Sequence, residues 1–267
     1  MIDYFGIFFV LSYFRLNRLS EQVWSVLLIE HFMMVRMINR VKTAIANLYF
    51  NFLSVEEKLG YMFLGTSLKN VNPVVILPAV DTVMDLVISK LKKKTVHGSV
   101  YNGMLNHVDV SVIQTHMGSP AAAIIMEVIK NCSCKAAIRI DFCGGLQSTW
   151  HDGHVAQTRI DVGSLVIPKT VVLSDGTSFQ YLQKYAAQIA THRGAIATHR
   201  LFHALCTHCA IYLLGALFNI PVISVLAVSN LRNSEEASMF RTKKIPPGTL
   251  QGMDDAVNLL CGSLSHI

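Results

Sequence analysis

The spacing of apolar residues changes along the chain, and each change marks an element. From Glu21 to Phe52 apolar positions step by three or four, as at Trp24, Leu27, Leu28, His31 and Met34, which predicts an amphipathic helix. Asn72 to Ala79 is a short apolar run opened by one proline and closed by another, the pattern of a buried strand. Asp81 to Leu91 sets Val83, Leu86, Val87 and Leu91 on one helical face. Val108 to Thr115 alternates apolar and polar side chains, so a strand with one buried face is expected. His116 to Pro120 then turns the chain, and Ala121 to Ile129 forms a helix whose N-terminal amides face that turn and can accept an anion. Ala136 to Phe142 is a second strand, ended by a turn at Cys143-Gly144-Gly145. Further on, Val162 to Leu173 reads as a strand with a turn at Ser174 to Ser178, His203 to Asn219 as a helix, and Pro221 to Ser229 as a buried strand.

Composition adds a surplus of apolar surface. Of the 267 residues 52% are hydrophobic and 15% charged, so some apolar surface must be covered in an oligomer interface or against a membrane. The length suits one large domain, or a domain with an appended segment. Residues 1–55 form such an extension, and 56–267 form the main domain. The opening run Met1 to Phe14 is too short to span a bilayer, where about 20 residues are needed. Its charges also follow the apolar run, the reverse of a secretory signal. A partner-binding or membrane-surface role for the helix after it stays open.

The net charge of +6 is spread thinly, with Lys92-Lys93-Lys94 the only run of three; we read that run as the solvated end of a helix. No aromatic residues interleave with it, so nucleic acid is not an expected partner, whereas a phosphate-bearing small molecule fits the charge. The six cysteines fall mostly in apolar segments, which suits a reducing, cytoplasmic setting. Cys206 and Cys209 have metal-ligand spacing but lie in an apolar helical pattern without a second pair, and His151, Asp152 and His154 suit an exposed loop. His192, His199 and His203 suit a solvated helix face. No metal is expected.

The stretch from Val108 to Gln147, together with Ile211 to Ser229, resembles the nucleoside phosphorylase family, which holds uridine phosphorylase, hexameric purine nucleoside phosphorylase and related nucleosidases. The likeness runs with gaps from Gly60 to the C-terminus. It implies an α/β fold of three layers with a mixed central β-sheet flanked by helices. It also implies a cytoplasmic homo-oligomer built from dimers, with a nucleoside and inorganic phosphate as substrates and no further cofactor. Ala136 to Gly145 is similar to the family's Arg-x-Gly-[Ser/Thr]-x-Gly signature, which places Arg139 on the phosphate, with Asp141 at the glycine position and Phe142 at the hydroxyl position. The resemblance puts Gly118 in the phosphate turn and Thr82 where the family has a phosphate-binding arginine. A neutral hydroxyl cannot replace a guanidinium fork on a dianion.

At the nucleoside end Ser229 and Asn230 match the family's Ser-Asp pair, so Asn230 stands in the place of the general acid, and Cys206 and Thr207 match its ribose-gripping Met-Glu. Asparagine can hydrogen-bond a 6-oxopurine or a pyrimidine but has no titratable proton to give. Gly60 to Thr66 resembles the strand or turn that lends a histidine to a neighbouring site, with Phe63 in that place. Three activities follow as expectations. One is a diverged phosphorylase cleaving the N-glycosidic bond of a pyrimidine (uridine-like) or 6-oxopurine nucleoside with phosphate. The others are a phosphate-independent nucleosidase and a catalytically impaired paralogue that assembles with or regulates other subunits. An aspartate beside a phosphate site repels the ligand, and Asp141 can instead pair with Arg139, which would silence the site.

Overall fold

A computed structural model describes residues 21–145, 160–168, 171, 173, 175–185, 207–231, 245 and 247–264; for 21–30, 207 and 208 it describes the backbone alone. The chain divides into two compact units, Met1–Ser54 and Val55–Ile267. The described part of the first unit is one long helix, α1 (Glu21–Phe52), as its apolar spacing requires.

The second unit is built on a seven-stranded sheet in the order β2-β3-β4-β1-β5-β7-β6. Its strands are β1 (Val74–Pro78), β2 (Lys92–His97), β3 (Val100–Leu105), β4 (Val108–Ile113), β5 (Ala136–Gly145), β6 (Leu165–Val166) and β7 (Val222–Leu231). The four central strands β4, β1, β5 and β7 are parallel, and the edges β2, β3 and β6 are antiparallel, so the sheet is mixed. Its described helices are α2 (Val55–Leu64), α3 (Asp81–Lys90), α4 (Ser119–Ile129), α5 (Gly176–Lys184), α6 (Thr207–Phe218) and α7 (Pro247–Ser263).

Two apolar layers sandwich the sheet. On one face Val75, Leu77 and Ala137 pack under Ala122, Met126 and Ile129 of α4 and Ile211 and Leu214 of α6. On the other, Ile76, Ile138, Ile140 and Val225 meet Val83 and Val87 of α3 and Met253, Ala256 and Val257 of α7. The alternation along β5 therefore sends Ala137, Arg139, Asp141 and Cys143 toward α4 and α6, and Ile138, Ile140 and Phe142 toward α3 and α7.

Four local expectations are corrected. Lys92-Lys93-Lys94 opens edge strand β2 instead of closing a helix: the backbone turns extended at Leu91, and the lysines lie exposed along the sheet edge. Cys143-Gly144-Gly145 continues β5 because β7 pairs with it up to Leu231, through an irregularity between Cys143 and Gly144. Gly60 to Leu64 is the second half of helix α2, whose Leu64 is buried, and Gly60 gives room to Leu68, which an added Cβ would meet at 2.7 Å. Among the described residues of Val162 to Leu173, where one long strand is expected, the strand is Leu165–Val166, the two residues that pair with Leu226 and Ala227.

Candidate functional site

Parallel strands bring their C-terminal ends to one edge of the sheet, and the first turn of α4 is delivered there by the short connection from β4. That connection is tightly held. Thr115 donates its amide to the Pro78 carbonyl over 2.9 Å, His116 follows at φ 58° and Gly118 at φ 102°, and Gly118 is the N-cap of α4. Positive φ costs a glycine little and a histidine more, so the turn is imposed by the strand and helix it joins.

Arg139 lies in register between Leu77 of β1 and Ser224 of β7, and it is fully buried. A guanidinium in an apolar sheet must find an anion or lose several kcal/mol to desolvation. It finds Asp141, two residues on and on the same face, with Nη2 2.6 Å from Oδ2. Nη1 donates to the Thr115 hydroxyl oxygen, and that hydroxyl lies within reach of the Pro78 and His116 carbonyls. Burial pulls the Arg139 pKa down from its ordinary value, and the Asp141 charge and hydrogen bond pull it back up. Arg139 Nε and Ser224 Oγ have no partner among the described residues.

The order along the strand decides what a ligand meets. Asp141 stands beyond Arg139 toward the C-terminal edge of β5, and its side chain keeps 12% of its surface open while Arg139 keeps none. An oxyanion approaching from that edge encounters a carboxylate first. The oxyanion that Arg139 meets among the described residues is thus the carboxylate of its own strand.

The other expected phosphate contacts are dispersed. Thr82 is exposed on the first turn of α3. Phe142 points to the opposite face and packs with the α3–α7 layer, as the strand period demands. Gly118 does sit at the α4 N-terminus beside Thr115, so two sequence neighbours of the turn come to the same edge as Arg139.

At the nucleoside end, Cys143 pairs with Val228 and Gly144 with Asn230, leaving Ser229 as the extra residue of a bulge in β7. The Ser229 hydroxyl is buried, 3.1 Å from the Cys143 carbonyl and 3.0 Å from Asn230 Oδ1. The half-buried Asn230 side chain lies over Gly144, where an added Cβ would stand 3.5 Å from Oδ1. Thr207 begins α6, with its backbone alone described, and Cys206 lies outside the described residues. The histidines at 151, 154, 192, 199 and 203 lie outside them too. Sequence reasoning missed Thr115 as the second partner of Arg139, a contact that the order and register of the strands create.

A three-layer α/β domain with a mixed sheet and a buried arginine at the C-terminal edge defines the class of molecule. The phosphorylase superfamily model matches residues 73–210, just over half of the chain, and the chain belongs to that superfamily. No curated protein sequence matches it. Among solved structures, uridine phosphorylase from Vibrio fischeri is similar at 16% identity and a TM-score of 0.55, over 76% of this chain and 95% of that one. A protein from Borrelia burgdorferi, bound to adenine and assigned as a 5'-methylthioadenosine/S-adenosylhomocysteine nucleosidase, is similar at 15% identity and a TM-score of 0.51. That match covers 73% of this chain and 100% of the other. At such identities the likeness speaks for the fold alone.

Proposed function

We propose that this chain is a phosphorolysis-impaired member of the phosphorylase superfamily that keeps the fold for assembly or regulation. The observation that carries this reading is the Arg139–Asp141 ion pair. Phosphorolysis of a pyrimidine or 6-oxopurine nucleoside, which the superfamily resemblance suggests, depends on phosphate held against the anomeric carbon. Here the arginine is neutralised from within, and the residue between it and the sheet edge would repel a dianion. Thr82 offers no charge to compensate, and Asn230 brings no proton for the leaving base. A nucleosidase would survive the loss of phosphate contacts, but Asp141 is committed to Arg139 and is not free to activate water.

The test is turnover of uridine and inosine by purified protein, with and without phosphate, alongside Asp141→Gly. The reading expects no phosphate-dependent loss of nucleoside in the parent chain. Phosphate-dependent turnover by the parent contradicts it, and phosphate-independent release of base would favour the nucleosidase.

A further inference from the structure

The helix α1 belongs to the first unit, and its described residues carry eleven exposed large apolar side chains, Phe32, Met33, Val35, Met37 and Tyr49 among them. Met34, Ile38, Val41, Ile45, Leu48 and Phe52 are exposed by between 44% and 82%. Their spacing is four, three, four, three and four. The sequence continues the same alternation upstream through His31, Leu27 and Trp24, so the repeat extends over four heptads. A straight α-helix drifts about 20° per heptad against a 3.5-residue repeat, so a face that only had to be apolar would not hold this period. A seam that packs knobs into the holes of a like helix does hold it.

With Ile38, Ile45 and Phe52 at the a positions, Met34, Val41 and Leu48 take the d positions. Ile38 and Ile45 are β-branched, and such residues at a, with leucine at d as at Leu48, favour two parallel strands. Charge agrees with a self-pairing of this sense. Residues 31–52 carry Arg36, Arg40 and Lys42 and no acid. Arg36 and Arg40 fall at f and c, away from the seam, while Lys42 at e faces Met37 at g of the partner helix. No two cations meet, and the lysine stem can cover the methionine. His31 takes an a position, where a polar residue fixes the register of the pair.

We infer that α1 is one strand of a parallel, in-register, two-stranded coiled coil, and that its seam docks on the same helix of a second copy of this chain. At 32 residues the helix is about 48 Å long, enough for four heptads. The inference rests on the first unit and holds or fails independently of the function proposed for the second.

The test uses the full chain carrying Ile45→Cys, at an a position, or Thr43→Cys, at f, under mild oxidation, with the parent chain as background for its own cysteines. Ile45→Cys should form covalent dimer several-fold above the parent, and Thr43→Cys should not. Sedimentation should show the mass of Ile38→Asp/Ile45→Asp falling at least twofold while the melting of the second unit stays unchanged. Equal cross-linking at both positions, or none above background, overturns the proposal. So does co-flotation of the parent with phosphatidylserine vesicles, lost in Ile38→Asp/Ile45→Asp, without the a-specific cross-link: that result would assign the seam to a membrane surface.

Discussion

Removing the carboxylate from Asp141 is the perturbation that separates a closed oxyanion site from an open one. Arg139 is fully buried, and Asp141 is its only charged partner among the described residues. Asp141→Gly leaves a buried cation with one hydroxyl contact, and breaking a buried pair from one side costs about 3–5 kcal/mol. For a domain of the size of the second unit, each kcal/mol moves the melting temperature by about 2–4 °C, so a fall of about 6–20 °C is expected. The variant should then respond to an anion that the parent ignores. Phosphate at about a hundred times its Kd returns about 2.7 kcal/mol, or about 5–11 °C. Thermal unfolding followed by circular dichroism, with chloride matched to phosphate in ionic strength, reads both effects. A fall below about 2 °C, or a melting temperature of Asp141→Gly that phosphate leaves where it was, would refute the reasoning, because Arg139 would then have another counter-charge.

Three further outcomes are expected. Replacing the pair together, Arg139→Met with Asp141→Leu, should melt within a few degrees of the parent or above it, since well-packed apolar residues often match a buried ion pair; a loss of more than about 3 kcal/mol in urea would show that the pair is worth more than its desolvation cost. Burial pushes the thiols of Cys132 and Cys143 from 9.0 up to about 12, and that of Cys134 to about 11. Above pH 9 the unfolded thiols ionise while the folded ones hold their protons, so stability should fall as pH rises from 9 toward 12, and Cys143→Ala should flatten that slope in urea titrations; an unchanged slope would argue against the burial of this thiol. Gly98 turns between β2 and β3 at φ 61°, where a Cβ would stand 2.2 Å from the Leu64 carbonyl oxygen. Gly98→Ala should therefore lose at least about 1–3 kcal/mol, and a variant as stable as the parent would contradict the close approach.

The parallel core was legible because its strands are apolar runs between prolines and glycines. β1, β4 and β7, with α3, α4 and α6, fall close to where periodicity placed them. The β2–β3 hairpin was not legible, because three consecutive lysines look like solvent-exposed helix and only pairing with β3 makes them a strand edge. The end of β5 was misplaced for a related reason: two glycines signal a turn locally, whereas the β7 ladder holds them extended. Helix α7, at Pro247–Ser263, carried no motif and was not foreseen. At the site, the Arg139–Asp141 contact could be anticipated from their i, i+2 spacing on one strand face. Thr115 could not, because its approach depends on the register of β4 and β5 on either side of β1.

The central claim is that Arg139 is occupied by Asp141 and closed to phosphate. Isothermal calorimetry of inorganic phosphate into the parent chain and into Asp141→Gly tests it most directly. The account expects no saturable heat from the parent and a saturable, single-site isotherm from the variant that Arg139→Ala abolishes. A saturable isotherm from the parent that Arg139→Ala removes would contradict it.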